Sequence, residues 1–198
     1  MLWVIVASGC VAGVLTLAAL YGELIRHWWW LAAVVGGLTA FSGSRAETIA
    51  GALLAVVVAG LLIVQTPLDA RTRHLSRRAT VIAAALVSAV IAMDVVGDDV
   101  GARSAGSAVS VAAVVVAVYA LLHRLSPRSL GWGDVLLVAP LGLALGYVAA
   151  DCVAVWQLLA STTGAIHALM LRRLRGVRTI PFGPHLLVAA WLVLLASV

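Results

Sequence analysis

Apolar residues dominate this chain in long runs, and short polar links separate the runs. Eight runs are long enough, or nearly so, to cross a bilayer: residues 2–20, 28–42, 48–68, 80–96, 104–122, 134–150, 152–171 and 183–198. A straight crossing takes about 20 residues, within a range of about 17–25. The second and last runs fall short of this, and only Asp151 parts the sixth from the seventh. The pattern therefore predicts about eight spans, with six or seven still open. Backbone groups in lipid must be satisfied within each segment, which leaves helices for runs of this length. The expected fold class is all-α: a polytopic transmembrane helical bundle forming a single integral membrane domain over residues 1–198. The first run lacks a basic region ahead of it and reads as a retained span, not a cleaved signal peptide.

Composition agrees. Of 198 residues, 64% are hydrophobic and 11% charged, and the mean hydropathy is +1.13. Soluble domains are far less apolar. The formal charge of +5 comes from arginine alone, since there is no lysine. Those arginines lie in links between apolar runs, so no nucleic-acid partner is expected; the lipid bilayer is the expected partner. If the links alternate sides, one side receives Arg26, Arg71, Arg73, Arg77, Arg78, Arg124, Arg128, Arg172, Arg173, Arg175 and Arg178. The other side receives only Arg45 and Arg103, together with Glu47, Asp94, Asp98, Asp99 and Asp151. The positive-inside rule makes the first side cytoplasmic and puts both termini outside.

Orientation gives two acids a common address. Asp69 ends the third run as the chain leaves the membrane toward the cytoplasm. Asp134 opens the sixth run as the chain enters from the cytoplasm, directly after Gly131-Trp132-Gly133. A carboxylate in a membrane helix costs roughly 2.5–3.5 kcal/mol at the helix centre on insertion scales, so such acids mark function. Two carboxylates close together cannot both ionise. One can then draw a proton from a water while the other hydrogen-bonds to a scissile carbonyl, the chemistry of an aspartyl protease. Gly131 and Gly133 remove side chains beside the acid, allowing close approach of a substrate backbone and unusual backbone angles. The simple alternatives are a helix N-cap for Asp134 and a surface ion pair of Asp69 with Arg71 or Arg73.

Other polar features read as structural. Asp98 and Asp99, with Gly97 and Gly101, look like a solvated turn, and Glu23 lies near Arg26. The Trp28-Trp29-Trp30 cluster suits the membrane interface. Cys10 and Cys152 form no CxxC and read as small apolar-environment residues. No metal or cofactor is implied, and no internal repeat stands out.

Three stretches resemble the type IV prepilin peptidases, a family of bacterial membrane aspartyl proteases related to archaeal preflagellin peptidases. Leu68-Asp69-Ala70-Arg71-Thr72-Arg73-His74-Leu75 is similar to the family's first aspartate region. Gly131-Trp132-Gly133-Asp134 is similar to its Gly-x-Gly-Asp motif, and Ile180-Pro181-Phe182-Gly183-Pro184 to the segment opening its last span. The likeness covers residues 48–198. It implies a peptidase of the cytoplasmic membrane, its active site facing the cytoplasm, that removes a short basic leader from pilin-like precursors. Asp69 and Asp134 would be the catalytic pair, Gly131 and Gly133 motif residues beside it, and Pro181 and Gly183 structural residues of the last loop. Leu75-Ser76 stands where the family often has Leu-Pro. No soluble insert with paired cysteines follows the first run, so the methyltransferase activity of fuller members is not expected. A proton- or cation-coupled transporter, or an inactive pilus or secretion assembly partner, remains the alternative function.

Overall fold

The computed structural model describes residues 36–37, 39–40, 48–96, 99–127, 130–175 and 181–197. The first predicted span, most of the second, the tryptophan cluster, Cys10, and Glu23 with Arg26 lie outside these residues.

The described chain is helical throughout, in the order α1 (Ile49–Thr72), α2 (Arg77–Val95), α3 (Asp99–Leu125), α4 (Trp132–Val148), a 3-10 turn (Ala150–Cys152), α5 (Val153–Arg175) and α6 (Gly183–Ser197). Among the described residues, four helices are long and apolar enough to cross a membrane, contributing spans Ile49–Asp69, Arg77–Val95, Arg103–Leu125 and Ala150–Arg173. The apolar helices α4 and α6 are shorter, with 17 and 15 residues. At about 1.5 Å per residue they reach roughly 25 and 22 Å, less than a hydrocarbon core of about 30 Å.

Polar residues fix the helix ends. Thr48 caps α1, its hydroxyl accepting from Gly51 N at 3.2 Å, and Ser76 caps α2 by accepting from Ala79 N at 3.3 Å. These side chains satisfy N–H groups that the first turn leaves unpaired. Helix α1 continues one turn past Leu68 despite Pro67, so Asp69 lies within the helix. It closes at Arg73, whose left-handed backbone (φ 55°) lets its N–H bond to Asp69 O at 2.9 Å. Of the turn expected over Gly97, Asp98, Asp99 and Gly101, the last two residues belong to the start of α3, and Gly97 and Asp98 lie outside the described residues. The 3-10 turn separates α4 from α5, leaving the sixth and seventh runs as two helices.

The short helices form the centre. Helix α4 packs along α3 and against α2 and α6, while α6 lies between α1 and α5. Leu137, Val138, Leu141, Ala144 and Leu145 of α4 and Leu186, Leu187, Ala190 and Leu194 of α6 are fully buried. Glycines let α3 and α4 approach closely. A Cβ at Gly142 would lie 2.9 Å from Ala112 Cα, and one at Gly146 would lie 2.8 Å from Ala108 Cα. This is a small-xxx-small seam on both helices. Trp156 Nε1 donates to Leu186 O at 3.0 Å and ties α5 to α6.

The outer helices turn apolar side chains outward: Ile82 and Leu86 on α2, Val109 and Val114 on α3, and Leu158 and Ile166 on α5 are all exposed. Only 17–22% of the span residues on α2, α3 and α5 are buried, against 67% on α1. Apolar surface this extensive requires lipid around it. The chain is a helical membrane protein.

Candidate functional site

Two helix ends bring the predicted acids together. Asp69 lies in the last full turn of α1 and is 5% exposed, and Asp134 lies in the first turn of α4 and is 9% exposed. Asp134 lies within range of the charge of Asp69. Asp134 Oδ2 accepts from Gly131 N at 3.3 Å, so the acid also satisfies a free N–H at the helix start. The N-cap position itself belongs to Gly131, correcting the simple alternative for Asp134.

The glycines of this site differ in their reasons. Gly131 is exposed, and its backbone (φ −72°, ψ 148°) is ordinary extended chain. A Cβ there would meet Asp134 Oδ2 at 3.4 Å, so Gly131 keeps the approach to the acid bare without needing special angles. Gly133 does not face open space. A Cβ on it would lie 3.3 Å from Leu75 Cβ and 3.4 Å from Leu75 Cδ1. Gly183, at the start of α6, meets the same leucine: its Cβ would lie 2.9 Å from Leu75 Cδ2 and 3.1 Å from Asp69 Oδ2. Gly183 therefore borders the acid directly. Pro181 is half-buried in the loop ahead of α6.

Leu75 is thus held in a slot between two glycines on different helices, with Asp69 at its edge. The loop carrying it is secured from below by Gln65, which is fully buried on α1. Gln65 Nε2 donates to Ser76 O and to Thr80 Oγ1, both at 3.0 Å, and Gln65 Oε1 accepts from Ser76 N at 2.7 Å. His74, exposed in the same loop, lies within electrostatic range of Asp69.

The Asp134 side has its own supports. His123 Nδ1 donates to Leu130 O at 2.8 Å and its ring packs on Trp132, fastening the link before Gly131 to the end of α3. Tyr119, 6% exposed on α3, is within electrostatic range of Asp134 and donates its hydroxyl to Gln157 Oε1 at 2.8 Å. Thr66, one turn before Asp69, has a buried hydroxyl with no protein partner among the described residues. A buried polar atom of this kind is normally satisfied by water.

Among the described residues, no group of three or more His, Cys, Asp or Glu gathers in a form that could hold a metal ion. Asp94 accepts from the Tyr147 hydroxyl, joining the ends of α2 and α4 opposite to the carboxylate pair. Cys152 is a half-buried free thiol against the core, away from the pair.

Reading charges in apolar runs found both acids. It passed over Gln65, Leu75 and Tyr119. Gln65 did leave a signal, an amide inside the run Leu61-Leu62-Ile63-Val64, one turn before Asp69. Leu75 stood out only through the resemblance, as part of the first aspartate region, and its packing role shows only in its contacts.

Fold and site define a polytopic helical membrane protein with two buried carboxylates at one end of the bundle. The model of the type IV leader peptidase family matches residues 56–169, which include Asp69 and Asp134 and stop short of Pro181. The chain belongs to the type IV leader peptidase, or prepilin peptidase, family. It is similar to the prepilin leader peptidase/N-methyltransferase of Aeromonas salmonicida (strain A449), 41% identical over 71 residues, 34% of this chain and 23% of that protein. It is likewise similar to the protein of that name from Aeromonas hydrophila, 37% identical over 68 residues, again 34% and 23% of the two chains. The matched stretch is thus about a quarter of each relative's length. No solved structure matches the chain significantly.

Proposed function

We propose that this chain is a membrane-embedded aspartic endopeptidase that removes the short basic leader of type IV pilin-like precursors at the cytoplasmic face of the cell membrane. Asp69 and Asp134 are its catalytic pair. The observation that supports the reading most is the burial of these two acids at one end of the bundle, one ending α1 and one opening α4, with the charge of Asp69 reaching Asp134. Membership of the type IV leader peptidase family gives that arrangement a chemical context.

The chemistry follows from the pairing. A water held between the carboxylates loses a proton to the ionised member and attacks the scissile carbonyl, to which the neutral member donates. The proton then passes to the departing amine as the C–N bond breaks. The precursor backbone approaches along the bare edge at Gly131, where it can bond to the extended chain as an added strand.

The test is co-expression with a pilin-like precursor from the same genome. Wild type should yield the leader-less product, whereas Asp69→Asn and Asp134→Asn should yield none while inserting normally. Cleavage surviving in both variants would remove the catalytic assignment. Ion flux through liposomes holding the purified protein, with no precursor cut, would favour the transporter reading.

A further inference from the structure

Gln65 sits in apolar α1, one turn from Asp69, and every strong hydrogen-bonding group of its side chain is engaged. It holds both the N–H and the C=O of Ser76, as a neighbouring strand would, and spends its second donor on Thr80. An amide in a membrane helix is retained at a cost unless its bonds are made. Here they fix one backbone unit, eleven residues on, against the wall of α1.

That unit follows Leu75. Between the cap at Arg73 and the cap at Ser76 the chain has two residues to turn, His74 and Leu75, so pinning Ser76 also pins Leu75. Leu75 then fills the gap between Gly133 on α4 and Gly183 on α6, with Asp69 Oδ2 at its rim. The leucine touches the helices that carry or border both acids. Its seating sets how far α4 and α6 stand from the end of α1. Polar bonds made locally on α1 and α2 thereby become the geometry of a pair on α1 and α4.

We propose that Gln65 is a positioning residue for the Asp69–Asp134 pair, acting through the loop at residues 73–76 and the wedge of Leu75. The inference rests on the peptidase reading for its functional half alone. The clamp itself can be read without turnover.

The experiment uses full-length protein with Cys10 and Cys152 replaced by alanine. In one arm, Leu75→Cys is treated with a water-soluble maleimide, with and without Gln65→Leu, a change that keeps volume and removes all three bonds. Labelling should rise about tenfold in the Gln65→Leu background, because the loop opens once its bonds are gone. In the second arm no cysteine is introduced and precursor cleavage is followed. Gln65→Leu should lower kcat at least about tenfold with KM within about twofold, the pattern of misplaced catalytic groups. Leu75→Ala should do the same. Combining Leu75→Ala with Gln65→Leu should be no worse than the worse single variant, because both act on one element. Unchanged labelling overturns the clamp. Faster labelling with unchanged kcat overturns the positioning role. Multiplying effects in the double variant, with lower yield of folded protein, mean that Gln65 only stabilises the fold and overturn it too. If wild type cuts no precursor, the peptidase reading fails and the positioning role with it, while labelling still reports the clamp.

Discussion

At the scale of single residues, the site is decided by what stands beside the carboxylates. Gly183 is the sharpest case, since a methyl group there would lie 2.9 Å from Leu75 Cδ2 and 3.1 Å from Asp69 Oδ2. Either the leucine or the acid must move. Gly183→Ala should therefore cut precursor cleavage by about a hundredfold, the scale of a displacement of about 1 Å at a reacting group, while the protein still inserts and folds. Gly106→Ala is the control: nothing lies within 4 Å of a Cβ at that position, and cleavage should match wild type. Initial rates on one precursor, corrected for membrane-inserted protein, give the comparison. Equal rates for all three proteins would mean the slot around Leu75 tolerates expansion and does not set the acid's position. The sequence makes the two acids conspicuous because charge in an apolar run is costly wherever it sits. It hides the slot, because the fitness of Gly183 depends on Leu75, more than a hundred residues away along the chain.

The helices are a different kind of information. Six of the eight apolar runs reappear as α1 to α6, since burying a backbone in lipid leaves it little choice. Their ends differ from those of the runs by a few residues, and α4 stops two residues short of its run, at Val148. Helices α1, α2, α3 and α5 all run beyond the apolar stretch, into Thr72, back to Arg77, out to Leu125 and to Arg175. Hydropathy measures the hydrocarbon layer, whereas a helix keeps its own hydrogen bonds into the headgroup region, where arginine side chains reach water. Helix pairing was hidden as well, although both halves of the α3–α4 seam stand in the sequence as Ala108 with Ala112 and Gly142 with Gly146. That seam makes a prediction about elements. Gly146→Leu would force a side chain where a Cβ already lies 2.8 Å from Ala108 Cα and from Val111 Cβ. Overpacking of this kind costs about 1–3 kcal/mol. The variant should unfold at a distinctly lower temperature in detergent than wild type, and lose cleavage because α4 carries Asp134. Leu158→Ala, on the outward face of α5, should change stability by no more than about 0.5 kcal/mol. A thermal melt that ranks the two variants the other way would place the structural seam elsewhere.

For the whole molecule, charge and topology converge on one end of the bundle. The end of α1, the start of α2, the end of α3 and the end of α5 carry the exposed residues Arg73, Arg77, Arg78, Arg124, Arg172 and Arg173. Leu75 joins that end to the starts of α4 and α6 through Gly133 and Gly183, so the carboxylate pair belongs to it. The opposite end carries Asp94 beside Tyr147, and Asp151 in the turn before α5. Arginine-rich links stay on the cytoplasmic side during insertion, and acidic residues contribute little to that choice. The pair should therefore open to the cytoplasm, where a precursor's leader would still be before export. Single cysteines at exposed positions test the whole arrangement, again in a background with Cys10 and Cys152 replaced by alanine. Asp151→Cys should react with a membrane-impermeant maleimide on intact cells. Arg172→Cys should react only after the cells are permeabilised. The inverse pattern would leave the helical bundle standing but turn the carboxylates outward, and cytoplasmic leader cleavage could not then be the work of this site. The arginines make the expected pattern conditional in a way that can be pressed further. Replacing Arg77, Arg78, Arg172 and Arg173 by glutamine removes four of the eleven arginines that hold these links inside. A mixed labelling pattern should follow, with cleavage falling in proportion to the inverted fraction, because each molecule offers its two acids to one side of the membrane only.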